Sequence, residues 1–410
     1  MYIYKLNENI ANDDMSNVDD PPVKSLPTIK PILTVANNTN GFARIMSINL
    51  EYVNKLNKCK DRISKYNSIE WEDLKKLSNP YEYIYIFNSK TQYNGVAKVK
   101  PLSRSFFKMI EIGNRFLPWI KKQKSIRTLH LAEGPGGFIE AVNHLRGDLR
   151  QNDVYFGITL IDKNKSVPCW NQSKQFLTNN PHIKILVGAD GTGNIYNPAN
   201  IINIIGNIGD GACDLITGDG GFDFSVDYNY QEQASSKLIF AQIIAGLKCL
   251  KVSNDSVFVC KFFDMSNYLT VELLYLLTVF FKETCIYKPV TSRIANSEKY
   301  IICCGYLGCN EQYWGELLNL LVLWNKIEKE LDDKKNRNTI NYIFESIPSD
   351  FVMNIKKINM EIIDGQIASI NNTIEISKKG LDKNNEWIEK NRKIQIQNAR
   401  EWCSQNGIAF

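Results

Sequence analysis

Five ionisable residues fall where short apolar runs of this chain end, and a glycine-rich turn sits among them. Leu129 to Ala132 reads as a buried strand, and Gly134-Pro135-Gly136-Gly137 turns it into a helix over Phe138 to Leu145. Glycines there let a ligand approach the backbone, and the helix start offers unpaired N–H groups to an anion. Glu133 stands at that junction. Asp162 follows an apolar run over 154–161, at a distance where a carboxylate accepts hydrogen bonds from a ribose. Asp190 lies in Gly188-Ala189-Asp190-Gly191-Thr192-Gly193 after 183–187, and Asp219 in Thr217-Gly218-Asp219-Gly220-Gly221-Phe222 after 213–217. Lys261 closes the run 256–262. Each alone also fits a turn, a cap or a lysine whose stem snorkels from a strand end. In an open parallel sheet, however, ligands bind beyond the carboxyl ends of the strands, which would gather all five at one crevice. Counted on from Gly134 and Gly136, the third glycine of a dinucleotide fingerprint falls on Ile139. That favours a smaller nucleoside cofactor such as S-adenosylmethionine over NAD.

The elements that must position these groups alternate. Strands are predicted over 129–132, 154–161, 183–187, 213–217, 256–262, 284–287 and 300–306, and helices over 102–122, 138–145, 231–250 and 268–281. Apolar, β-branched strands of this kind suit a mostly parallel, seven-stranded sheet with helices on both faces, an α/β fold. The last two strands are joined by a loop too short for a helical crossover, so they are expected to pair antiparallel or to lie apart. Residues 1–45, with paired aspartates and an Asn37-Asn38-Thr39-Asn40 tract, read as a flexible arm. Leu50, Val53, Leu56, Trp71, Leu74 and Leu77 recur at helical spacing within a second segment, 46–95. The region 312–410 reads as helical again, and its basic runs, Lys378-Lys379 and Lys390-Asn391-Arg392-Lys393, as solvated faces.

Composition narrows the function classes. With 44% hydrophobic and 23% charged residues over 410 positions, the chain has the balance of a soluble globular protein, one large domain with extensions or two domains. A net charge of +5 permits a polyanionic substrate without requiring one. Ten cysteines without a C-x-x-C pair and three histidines argue against a zinc site, and a reduced, intracellular protein is expected. The N-terminus lacks the pattern of a signal peptide, and the longest apolar stretch, Leu273 to Phe281, is too short for a membrane span.

The glycine turn, the Asp219-Gly220-Gly221-Phe222 segment, the strand-end Lys261 and the loop from Ser292 to Tyr300 resemble the FtsJ-type, Rossmann-fold ribose 2′-O-methyltransferases. The resemblance is nearest to the mRNA cap enzymes of eukaryotes and of large cytoplasmic DNA viruses, and it runs from about Ser103 to Gly308. It implies a methyltransferase domain over 96–311 that uses S-adenosylmethionine and no metal. The family's Lys-Asp-Lys-Glu tetrad falls on Lys108, Asp219, Lys261 and Glu298. Cofactor contacts are implied for Glu133, Gly134, Pro135, Gly136, Gly137, Phe138, Asp162, Asp190 and Asp219, and acceptor contacts for Arg104, Ser292, Arg293 and Asn296.

A ribose hydroxyl is a poor nucleophile, so such a site has to align it and remove one proton. Lys261 is the expected base or hydroxyl-orienting group. Lys108, as a cationic neighbour, would lower its pKa, and Asp219 and Glu298 would hold the two lysines in place. The implied reaction is methylation of the ribose next to an mRNA cap (cap 1 type). The alternatives are ribosomal or transfer RNA as acceptor, or a non-catalytic RNA-binding scaffold of a capping complex. Implied partners are capped mRNA or other RNA and further capping or transcription proteins, with no membrane. The expected location is intracellular: host cytoplasm or virion for a viral member, nucleus or cytoplasm otherwise.

Overall fold

The computed structural model describes residues 2–7, 25–35, 46–86, 95–162, 167–221, 231–332 and 338–410. In chain order these form β1 (Tyr2–Lys5), β2 (Ile29–Val35), α1 (Leu50–Asp61), α2 (Ser68–Ser78), α3 (Ser105–Phe116), β3 (Arg127–Leu131), α4 (Gly137–Arg146) and β4 (Val154–Ile158). There follow α5 (Lys174–Asn179), β5 (Ile183–Leu186), α6 (Pro198–Ile208), β6 (Leu215–Gly218), α7 (Gln231–Cys249), β7 (Ser253–Phe262), α8 (Tyr268–Phe280) and β8 (Phe281–Lys288). The chain ends with β9 (Lys299–Tyr306), α9 (Glu311–Asp332), β10 (Asn338–Phe344), α10 (Ser349–Lys378) and α11 (Asn385–Asn406).

Eight strands form one sheet in the order β1-β8-β9-β7-β6-β3-β4-β5. The run β7-β6-β3-β4-β5 is parallel, and β9 pairs antiparallel with both β7 and β8. Order reverses between β3 and β6, so the chain winds away on both sides of β3, and the crevice for a ligand opens there. Strand alternation sorts the core into two layers. Phe258, Cys260 and Phe262 of β7 face the layer that holds α6, α7, α8 and α9. Val257 and Val259 face the other, built from α3 and α4. Lys261 continues the second series, which puts it on the α3 side.

Two expectations need correction. The sheet has eight strands rather than seven, because Tyr2–Lys5 adds an antiparallel edge to β8. Residues 1–45 are therefore not simply a flexible arm: besides β1, the segment Ile29–Val35 pairs with β10. Alternate residues of a four-residue strand carry too few hydrophobic positions to stand out as a period. The helical N- and C-terminal extensions are present as expected, and they pack on each other. Leu56, Cys59, Trp71 and Leu74 of α1 and α2 share one apolar cluster with Ile363, Ile370 and Ile374 of α10. Amphipathic helices without a sheet of their own bury their apolar stripes against each other. The start of α2 is fixed locally by a capping box, Asn67 with Glu70.

Candidate active site

Register builds the centre of the site. Gly218 stands opposite Cys260 in the parallel pair, and Lys261 opposite Tyr300 in the antiparallel pair. Asp219, Lys261 and Tyr300 therefore lie side by side at one edge. Lys261 Nζ donates to the Asp219 carbonyl at 2.7 Å and lies 3.2 Å from its Oδ1. The Tyr300 hydroxyl donates to the same Oδ1 at 2.9 Å. A slip of one residue in β7 would turn Lys261 into the opposite layer.

Glu298 comes from the loop between β8 and β9, one residue before Lys299. Lys108 on α3 reaches it at 2.7 and 2.9 Å, and the Ser292 hydroxyl donates to its Oε1 at 2.8 Å. Burial alone would raise the Glu298 carboxyl, but Lys108, Lys261 and Lys288 overcome that and hold it well below the usual carboxylate range. Lys261 differs from the sequence expectation. Burial lowers its pKa, yet Asp219 and Glu298 more than offset this, and the amine is held above its ordinary value. The carboxylates, not Lys108, dominate its field. In this arrangement Lys261 is a charged donor.

Asp219, Lys261 and Glu298 line a cavity of about 780 Å³ beyond the carboxyl ends of the parallel strands. Gly134 and Pro135 after β3, Thr159 and Leu160 after β4, and Gly193 to Tyr196 after β5 form its sheet-side wall. That volume lies in the range of sites that enclose a nucleoside-sized ligand. Its opposite wall was not legible in the sequence. Lys60, Ile63, Trp71 and Lys75 reach it from α1, α2 and the turn between them, and Gln366 and Ile370 from α10.

The glycine turn is closely packed by neighbouring protein. A side chain on Gly136, whose φ is +106°, would meet the Trp170 ring at 3.0 Å; one on Gly134 would strike the Pro168 backbone at 2.6 Å. One on Gly137 would meet the Ser105 hydroxyl oxygen at 2.1 Å. Only Gly134 and Pro135 of this turn line the cavity; Gly136, Gly137 and Phe138 do not, and Phe138 is fully buried in the α3–α4 layer. Glu133 is buried as well. The Thr217 hydroxyl donates to its Oε1, the His130 ring lies 3.4 Å from its Oε2, and burial pushes its carboxyl up.

Other expected contacts also fall elsewhere. Asp190 organises its own loop: its carboxylate accepts from the Thr192 N–H at 2.9 Å, the Thr192 hydroxyl at 2.7 Å, and Asn197 and Asn200 at 2.8 Å each. Those hydrogen bonds hold its carboxyl below the usual range, and the residue shapes Gly193 to Tyr196 without lining the cavity. Asp162 is likewise absent from the lining. Arg104 and Arg293 converge on the buried Glu82. Arg104 Nη1 lies 3.0 Å from Glu82 Oε1, and Arg293 donates to both Glu82 oxygens at 2.8 and 3.1 Å and to Glu72 at 2.8 Å. Arg293 fastens α2 and Glu82 to the β8–β9 loop, and Arg104 fastens Glu82 to the start of α3. Asn296 is exposed and does line the cavity, and Ser292 positions Glu298. The roles of Tyr300 and Lys288 were not predicted, since nothing in their local sequence marks a partner far along the chain.

Among the described residues, no helix is long and apolar enough to cross a membrane. Comparison with known proteins gives the family. The FtsJ-like methyltransferase model matches residues 101–306. The uncharacterized protein L511 of Acanthamoeba polyphaga mimivirus is 27% identical over 419 residues, covering 96% of this chain and 50% of that protein. Cap-specific mRNA (nucleoside-2′-O-)-methyltransferase 1 of Trypanosoma cruzi is 35% identical over 178 residues, covering 43% and 46% of the two chains. Its Mus musculus namesake is 30% identical over 271 residues, covering 62% and 30%. The chain thus spans half or less of the length of each of these relatives. With the family model covering half of its residues, the chain belongs to the FtsJ-like methyltransferase family.

Proposed function

We propose that this protein methylates the ribose 2′-hydroxyl of RNA from S-adenosylmethionine, at the nucleotide next to an mRNA 5′ cap. One observation carries the reading: Asp219, Lys261 and Glu298 line one cavity at the strand ends, with Lys108 paired to Glu298 at its edge. The loops after β3, β4, β5 and β6 fit the cofactor by their place at the switch point and by the volume they enclose. When bound there, S-adenosylmethionine supplies a methyl group already activated by its sulfonium. The protein's own residues then have two tasks, alignment and proton disposal.

Lys261, charged and buried beside Asp219, donates to the 2′-oxygen and fixes its direction, leaving a lone pair free for attack. Asp219 and Tyr300 hold the Lys261 amine in place through Oδ1. The hydroxyl becomes strongly acidic only as its oxygen forms the new bond, and Asp219, the lining carboxylate paired with Lys261, accepts the proton. Lys108 and Ser292 fix Glu298, whose negative charge keeps Lys261 protonated. The wall from α1, α2 and α10 adds Trp71, Lys60 and Lys75 to the lining of the cavity. The relatives named as cap-specific mRNA methyltransferases support a capped acceptor. The test is transfer of a labelled methyl group to RNAs that differ only in their 5′ ends, followed by nuclease mapping of the labelled nucleoside. Better transfer to uncapped ribosomal or transfer RNA fragments would move the acceptor away from the cap.

A further inference from the structure

Lys288 is a buried amine that stands outside the four residues above. It ends β8, it is 2% exposed, and its Nζ donates to the carbonyl of Asn296 at 2.7 Å and to the carbonyl of Glu298. Both acceptors lie in the loop that begins one residue after Lys288 and delivers Glu298 to the start of β9. An amine in so buried a place is costly to hold, and an aliphatic side chain would fill the same space without that cost. What an aliphatic side chain cannot do is tie two carbonyls of an irregular loop to the end of a strand.

The charged groups that face Lys288 are Glu298 and Lys299 from the loop end and β9, Lys108 from α3, and Asp264 from the segment after β7. Burial is the largest influence and lowers the amine to about 7, Glu298 and Asp264 opposing it and the two lysines adding to it. Its N–H groups serve the two carbonyls whether or not it carries the extra proton.

We propose that Lys288 is a positioning residue: by pinning the carbonyls of Asn296 and Glu298 it sets how far the Glu298 side chain reaches toward Lys108 and Lys261. This rests on the catalytic reading of Glu298, and a double-mutant cycle separates the two. In kcat, Lys288→Met is expected to lose about tenfold or more, because small misplacements of a reacting constellation are costly. In the Glu298→Gln background the same change should lose less than about twofold, since the group it positions is already gone. Cofactor affinity by calorimetry should stay within about twofold throughout. A kcat for Lys288→Met near that of the parent, an equal loss in both backgrounds, or a parallel loss of cofactor affinity would each overturn the proposal. Normal turnover of Glu298→Gln alone would instead remove the role of Glu298, and this proposal with it. Should Lys288→Met fail to fold, Lys288→Gln, which keeps an N–H pair for the carbonyls, carries the same cycle with a smaller expected loss.

Discussion

Lys261 keeps its charge despite burial because two carboxylates outweigh the loss of water around it. At the residue scale this makes it a charged donor rather than a free amine, which suits the proposed role of orienting an oxygen. Lys261→Ala is expected to lose about 10²-fold or more in turnover while cofactor affinity, read by calorimetry, changes little. Lys261→Arg should not restore activity, since a planar, longer fork cannot take the place of a point donor beside Asp219. Near-normal turnover of either variant would remove Lys261 from the chemistry. Asp219 and Lys261 were visible in the sequence because strand ends are visible, whereas Lys108 on α3 and Glu298 in a loop were reached through the family resemblance. Their charge states were not visible, since these depend on partners far along the chain.

At the scale of elements, Arg104 and Arg293 show what local reading misses. Both sit beside motif residues and suggest phosphate contacts, yet Glu82 claims them, Arg293 from 211 positions away. Arg293→Met should therefore act on stability. Removing one partner of so buried a network costs about 3–5 kcal/mol, which chemical denaturation would register. The salt dependence of RNA binding should keep its slope, whereas loss of a phosphate contact would reduce that slope by nearly one. An unchanged stability with a reduced slope would return Arg293 to the RNA. Strands β3 to β9 were legible because apolar, β-branched runs bounded by polar turns have few other uses. The glycine turn was legible as a turn, but its packing was not: the Trp170 ring, which a side chain on Gly136 would meet, stands 34 positions further along the chain. The partners of Asp190, Asn197 and Asn200, were likewise not legible, although they stand only seven and ten positions along the chain.

Over the whole molecule, both ends of the chain close onto the central domain and build one wall of its cavity. Helical spacing showed that the end segments are amphipathic, but not that they face each other. The closure also buries ionisable groups. Glu272 on α8 accepts the Ile343 N–H of β10 at 2.7 Å, and burial raises its carboxyl to about 8. In the unfolded chain that carboxyl titrates near 4.5. Between these values the folded state binds more protons, so this group's contribution to stability falls as pH rises from about 4.5 to 8. Glu272→Gln keeps an oxygen for Ile343 and removes the titration. It should therefore be more stable than the parent at pH 8 and show a shallower decline between pH 5 and 8 in denaturant titrations. A parallel decline in both proteins would contradict this.

The central claim is that the cavity aligns a ribose 2′-oxygen of capped RNA with a methyl donor. The most direct measurement compares two short capped RNAs that differ by one atom, the 2′-oxygen of the nucleotide next to the cap. Discrimination here depends on the 2′-hydroxyl, which is both the recognition group and the nucleophile. Labelled methyl is expected on that nucleotide of the first RNA and none on the 2′-deoxy RNA. Equal labelling of both would place the methyl on another atom and contradict the claim.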